Sequence, residues 1–292
     1  MTKIIQLLTT AILISLGFLS IYAQEQTVVT TTELSSEKIE KKAESVKKQA
    51  SSDESWTGFY VGGFGGYTNG RAASNLSTIS ASYIANPTAL AGIAKDGTQK
   101  INSKGFSGGG TFGYNYQKGK FFVGGEVDFG SNRINKSVTA TTLFNSDFPA
   151  SSSNTKTITQ SVKSNWLFTA RPRVGIVFNK TIVYVTGGVA VTNIKYNGSY
   201  GDTLSGITKE SSSFSKTKTG TSVGAGVEVK IVSKWSLKGE YLFTQFGRIS
   251  TISTNLTAGD VGFGGDPVPN QVFTHSTDLK SHSIRFGVNY RF

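Results

Sequence analysis

Ser281-His-Ser-Ile-Arg-Phe-Gly-Val-Asn-Tyr-Arg-Phe292 alternates without a break. Ile284, Phe286, Val288, Tyr290 and Phe292 fall on one parity; Ser283, Arg285, Gly287, Asn289 and Arg291 fall on the other. Successive side chains of a β-strand point to opposite faces, so this stretch is a strand with one wholly apolar, aromatic-tipped face. The other face holds two arginines among small and polar groups. Such a strand needs an apolar medium on one side and a polar enclosure on the other.

The same texture recurs upstream from Trp56. Gly, aromatic and Val/Ile/Thr residues alternate in eight runs, near 57–68, 104–116, 120–131, 163–178, 181–193, 219–231, 235–246 and 281–292. Three connectors are tight turns: Gln117-Lys118-Gly119, Asn179-Lys180 and Ser233-Lys234. The four others, 69–103, 132–162, 194–218 and 247–280, are long and rich in Ser, Thr, Asn and Gly. An even number of antiparallel strands with short and long connections in turn is the layout of an outer-membrane barrel. The expected fold is all-β: an eight-stranded antiparallel up-and-down transmembrane β-barrel with short periplasmic turns and four long external loops.

Face content decides which side meets lipid. One parity gives Trp166, Phe168, Ala170, Pro172, Val174, Ile176 and Phe178, and likewise Trp235, Leu237, Tyr241 and Phe243. The other carries small residues with scattered charge: Glu126, Asp128, Arg171, Arg173, Glu228, Lys230, Lys238, Glu240 and Arg285. Small residues suit the narrow interior of eight strands, and four acids against five bases in so tight a space should pair. These nine are the expected lumen ion-pair network, a structural plug. Trp56, Phe121, Phe178, Trp235 and Phe292 are expected as an aromatic girdle at the turn end, with Tyr67, Phe129 and Trp166 at the loop end. Pro172 cannot donate to a ladder and should mark a bulge.

The N-terminus reads as an export signal over residues 1–23: Lys3, an apolar run from Ile4 to Ile21, and a cut after Ala23. Residues 24–55 lack glycine and aromatics and read as a charged, partly helical or disordered periplasmic segment, leaving 56–292 for the barrel. Net charge is +12. Lys3 and the segment 24–55, with seven acids and five bases, leave +13 on residues 56–292. Export removes nucleic acid from the partners a basic surface suggests, and lysines at the loop end suit lipopolysaccharide phosphates. There is no Cys, and His275 and His282 are the two histidines, so thiol and most imidazole chemistry is excluded.

Several strings are similar to those of the porin-family surface antigens, opacity-type barrels of the OmpA-like transmembrane superfamily. They are Trp56-Thr-Gly-Phe-Tyr-Val-Gly-Gly, Tyr184-Val-Thr-Gly-Gly-Val-Ala, Ser222-Val-Gly-Ala-Gly-Val-Glu-Val, Trp235-Ser-Leu-Lys-Gly-Glu-Tyr-Leu-Phe and Phe286-Gly-Val-Asn-Tyr-Arg-Phe. The resemblance implies a Gram-negative outer membrane, and a terminal Phe292 read by the barrel-assembly machinery. It implies no single activity, since the family includes structural antigens, adhesins, haemin binders and small pores.

The reading is therefore a structural and interaction protein of the outer membrane: no enzyme, no cofactor, no metal, and host or surface ligands met through the loops. A narrow diffusion pore is the runner-up. Haemin capture would use His275, Tyr83 or Tyr200. An adhesive patch would use the apolar stretch 83–93, which otherwise packs against another loop or lines the mouth. Catalysis would need His282, but Ser281 and Ser283 beside it point to the opposite face, and no carboxylate follows.

Overall fold

The computed structural model describes residues 55–144, 154–204, 208–259 and 267–292. The expected signal and most of the charged segment lie outside them. The eight strands are β1 Gly58–Thr78, β2 Gln99–Lys118, β3 Phe121–Leu143, β4 Thr155–Phe178, β5 Thr181–Asp202, β6 Thr208–Val232, β7 Trp235–Ser253 and β8 Phe273–Arg291. Each pairs antiparallel with the next, and β8 returns to β1 through Tyr60↔Arg291 to Thr78↔Phe273, closing the ring. Closure matters in lipid, where an unpaired edge would leave its amides and carbonyls without partners. The three expected tight turns are present, with a left-handed residue in each: Gly119 (φ 62°), Asn179 (φ 51°) and Ser233 (φ 35°).

The strands are 19 to 25 residues long, each well beyond its expected run. Nine to eleven tilted residues suffice to cross a bilayer, so the remainder stands beyond it. Most of the four segments expected as loops is therefore ladder. The pairs Thr139↔Thr159 and Thr141↔Thr157 join hydroxyls at 3.0 and 3.1 Å on the outer face of this extension.

Two ladders stop early. β2–β3 pairing ends at Ser107↔Asn132 and β6–β7 pairing at Gly220↔Phe246, while the other six ladders continue outward. Beyond those points the ring becomes two four-stranded sheets, β7–β8–β1–β2 and β3–β4–β5–β6. Their inner faces share one apolar cluster that includes Ala72, Ile101, Phe246 and Leu279 from the first sheet and Ile134, Val162, Ile194 and Tyr196 from the second. Near the tip, the bridge Lys209↔Thr257 rejoins the β6–β7 side.

The apolar stretch 83–93 packs inward instead of forming a surface patch. Pro87–Gly97 forms helix α1, its first amides accepted by the Asn86 side chain, with Pro87 placed where a missing N–H costs nothing. Tyr83, Ile84, Ala89 and Ile93 are buried against Leu76, Ile158, Leu256 and Phe273. α1 thus seals the outer end of the interior, and the adhesive reading loses its apolar residues.

Pro172 marks no bulge. It faces outward opposite Gly125 in unbroken register with β3, and the β4–β5 ladder passes from Ala170↔Val189 to Arg173↔Thr186 without a shift. The Thr186 hydroxyl donates to the Pro172 carbonyl at 2.8 Å, which absorbs the local gap. The register shifts on β4 lie instead opposite Ser131/Ile134 and at Lys163/Leu167, where the chain leaves the aromatic girdle for the extension.

Candidate functional site in the barrel interior

Parity puts eight of the nine expected lumen charges in one contiguous network. Arg171 reaches Glu126 (2.9 Å), Asp128 (2.5 Å) and Glu240 (3.2 Å). Arg173 reaches Glu126 (2.8 Å) and Glu228 (2.9 Å), Lys238 reaches Glu126 (2.9 Å), and Arg285 reaches Asp128 (3.0 Å). Four acids thus meet four bases, all but fully buried. Charges in such a setting persist only with near-complete pairing.

Neutral groups complete the set. Tyr60 donates to Glu126 (2.7 Å), Tyr184 to Glu240 (3.0 Å), and Ser236 and Asn289 to Glu228 (2.6 and 2.8 Å). The Arg173 guanidinium lies over the rings of Tyr60, Phe122 and Tyr184, 4.6–5.6 Å from their centroids. Gly226 makes room for Tyr184, because a Cβ there would fall 2.6 Å from the phenol oxygen. Glu126, Asp128 and Glu240 are close enough together to hold a cation, but Arg171 touches all three and supplies the positive charge itself.

Lys230 sits apart, nearer the turns. Its ammonium donates to the Ser55 carbonyl (2.8 Å) and lies 5.1 Å from the Trp56 ring. Trp56 is a correction: it is fully buried rather than part of the girdle. It lies just before β1, and the Arg291 guanidinium also sits over its ring, 4.4 Å from the centroid. With Phe122, Val177, Ile182 and Tyr184 it forms an aromatic floor. Phe121, Phe178, Trp235 and Phe292 do lie on the outer face, as do Tyr67 and Phe129 at the other end, with Trp166 half-buried against Phe129. The Phe292 amide donates to the Phe59 carbonyl (3.0 Å), so the terminal residue is held by β1.

The proposed haemin ligands are spoken for. His275 is not in a loop but on β8, fully buried, with Nε2 3.0 Å from Glu210 and Nδ1 3.1 Å from Tyr196. Tyr83 and Tyr200 both donate to Asp202, at 2.8 and 2.7 Å. Burial, with Asp202 beside it, pushes the Tyr200 phenol well above its usual range, so it stays a neutral donor. His282 faces outward between Tyr241 and Phe243, with Nδ1 2.6 Å from the Tyr241 hydroxyl. Ser281 and Ser283 face inward to Thr244 (2.6 Å) and Thr68 (2.8 Å), so no triad forms there.

Sequence reasoning missed the polar tier formed by Gln160, Tyr196, Glu210 and His275, because those strand segments had been read as loop. It also missed the clamps on α1. Asp96 takes Lys156 (2.9 Å) and Thr142 (2.6 Å), and the buried Gln271 takes the Ile84 amide (2.9 Å) while donating to Thr78 and Ile79 (2.7 Å each).

Taken from the turn end outward, the interior holds an aromatic floor, an ion-pair layer, an apolar layer, a polar tier and an apolar lid. A ring of alternating strands with a lipid-compatible outside and a charge-neutral inside is built to sit in a membrane. The model of the outer membrane protein beta-barrel domain family matches residues 45–292. The chain belongs to that family. It is an outer-membrane β-barrel protein. It is 31% identical over 240 residues to the 31 kDa outer-membrane immunogenic protein of Brucella melitensis, covering 82% of this chain and 84% of that one. To the 22 kDa outer membrane protein of Rhizobium leguminosarum bv. viciae it is 28% identical, over 66% of this chain and 65% of the other. Among solved structures it is similar to OprG of Pseudomonas aeruginosa, with 12% identity, a TM-score of 0.40, and coverage of 82% of this chain and 99% of that one.

Proposed function

We propose that this protein is a closed, non-catalytic barrel that anchors a rigid β-structured extension on the outer surface and acts through contact rather than transport. One observation carries the reading: the described interior is occupied at every level, from Trp56 through the ion-pair layer to α1. Eight strands leave room for side chains and little else. Here the ions are neutralised in place rather than lining a water column. The short turns are assigned to the periplasm and the extension to the outside. The terminal Phe292, exposed beside Tyr290, is assigned as the element read by the barrel-assembly machinery. The Brucella relatives are named as immunogenic, which supports surface exposure of the extension.

Two measurements on the full chain test this. In planar bilayers the refolded protein should give no steady, reproducible conductance, and a uniform large step would return the narrow pore. Antibody raised against 132–162 should label intact cells. Labelling only after outer-membrane permeabilisation would reverse the orientation.

A further inference from the structure

The outer face changes character just beyond the loop-end girdle. Tyr67 and Phe106 pair across β1 and β2, and the next outward-facing pair is Asn69↔Lys104, followed by Arg71↔Asn102. β3 offers Arg133, β4 Lys163, β5 Lys195 and β8 Lys280. At about 3.3 Å per residue, these six cations stand roughly 7–13 Å along the strands beyond the aromatics, and less along the barrel axis because the strands tilt.

None of the six is ion-paired among the described residues; Asp278, two residues from Lys280 on β8, accepts from the Ala73 amide through Oδ1 (3.0 Å) and makes no ion pair with them. Two of the cations face each other directly in each of two places: Arg71↔Lys280 on β1/β8 and Lys163↔Lys195 on β4/β5. Like charges directly opposite are destabilising in a sheet. These two pairs lie on opposite sides of the ring, separated by β2–β3 and by β6–β7. A soluble sheet would interleave Glu or Asp here; this one leaves both positions positive. Among the described residues no ion pair supplies the counter-charge, and the two pairs lie at the depth where an outer leaflet carries its polar groups.

We propose that Arg71/Lys280 and Lys163/Lys195 are two anion sites for the phosphates of a membrane-embedded, phosphorylated glycolipid packed against the barrel. Lys104 and Arg133 flank them. The guanidinium of Arg71 is already oriented, its Nε donating to Asn102 at 3.1 Å, which leaves its terminal nitrogens for a phosphate. The proposal rests on the outward orientation given above, but its test in micelles does not depend on that orientation. A failure of binding and a failure of orientation are therefore separate results.

The test uses the refolded full chain in neutral-detergent micelles doped with a bis-phosphorylated acylated glucosamine disaccharide, or with the same disaccharide stripped of phosphate. The variant is R71Q/K163Q/K195Q/K280Q, with K118Q/K120Q/K180Q/K234Q at the turn end as a charge-matched control. Wild type and control should bind the phosphorylated lipid at least tenfold more tightly than the stripped one, with the difference shrinking at high salt. The four-site variant should lose that preference. In undoped micelles it should be at least as heat-stable as wild type, because repulsion has been relieved, and only wild type and control should gain stability on doping. Equal binding of both lipids by wild type, an equal loss in the control, or a variant less stable without lipid would each overturn the proposal.

Discussion

Glu126 is the hub of the interior, and Glu126→Gln is the sharpest test of what the ion-pair layer does. Its two oxygens accept from Arg171 (2.9 Å), Arg173 (2.8 Å), Lys238 (2.9 Å) and Tyr60 (2.7 Å) with the carboxylate essentially inaccessible. Three of those bonds come from cations, each worth about 1.5–3 kcal/mol. Their simple sum is an upper bound, because contacts within one network do not add. The amide keeps one acceptor oxygen but turns a balanced set of four against four into three acids against four bases. Removing one partner of a buried pair costs about 3–5 kcal/mol, mostly from the charge left behind. That is a large part of a stability of about 5–15 kcal/mol. Urea titration of the vesicle-inserted protein, followed by heat-modifiable gel mobility, should show a loss in that range. The double variant E126Q/K238M restores charge balance and should recover at least about 2 kcal/mol relative to the sum of the single changes. If E126Q costs under about 1 kcal/mol, or if the double variant simply adds the two losses, the layer is not an electrostatic unit and the reasoning fails.

Other expectations follow from the outer half of the interior. Gln271→Leu strands the Ile84 amide, so segment 80–97 should lose amide-exchange protection and gain protease sensitivity while the membrane ring stays intact. Burial works to raise the Asp96 carboxyl, but the Thr142 hydroxyl and Lys156 ammonium outweigh it and hold the carboxyl below its usual range. Its stabilisation of α1 is therefore complete above the unfolded value of about 3.9 and lost as pH falls through the lower folded value. The protection factors of the α1 amides should be flat from pH 7 to 5 and fall below about pH 4, a step that Asp96→Asn abolishes. His275→Leu leaves the buried Glu210 carboxyl without its partner and should cost about 1–3 kcal/mol, whereas the paired change H275L/E210L should cost less.

The part of the fold written most legibly was the part that meets lipid. Ile284 to Phe292, Val223 to Ile231 and Trp235 to Phe243 alternate because one side faces hydrocarbon, and the eight lumen charges fall out of the same parity. Beyond the membrane the outer face meets water, so strands such as Thr208–Thr219 are polar on both sides and period two disappears. Only the density of Ser and Thr hinted at extension there. That is why His275 and Glu210 were read as loop residues although they sit at the centre of a sheet-on-sheet contact. Trp56 was misplaced for a different reason. Its chemistry suits a girdle, but it precedes β1, whose first residue Gly58 turns the chain at φ 136°, and its ring packs inward with Phe122 and Tyr184 under Lys230 and Arg291.

The order of the layers has its own logic. A charged layer inside a barrel is tolerable only if water cannot reach one member and not another, since an unevenly hydrated pair loses its balance. The floor of Trp56, Phe122 and Tyr184 closes the layer on one side, and the apolar cluster around Ile134, Ile194 and Phe246 closes it on the other. The early ends of the β2–β3 and β6–β7 ladders lie at the inner edge of that second seal, with Ile101 and Ile134 just beyond the first and Phe246 in the last pair of the second. Up to that height the ring must be closed because lipid allows no edge; above it, water can satisfy the freed amides and the two sheets pack on a core of their own. The sealing layer and the end of strict closure thus mark one boundary, the outer membrane surface, written inside the barrel as apolar packing and outside it as the change from aromatic girdle to basic belt.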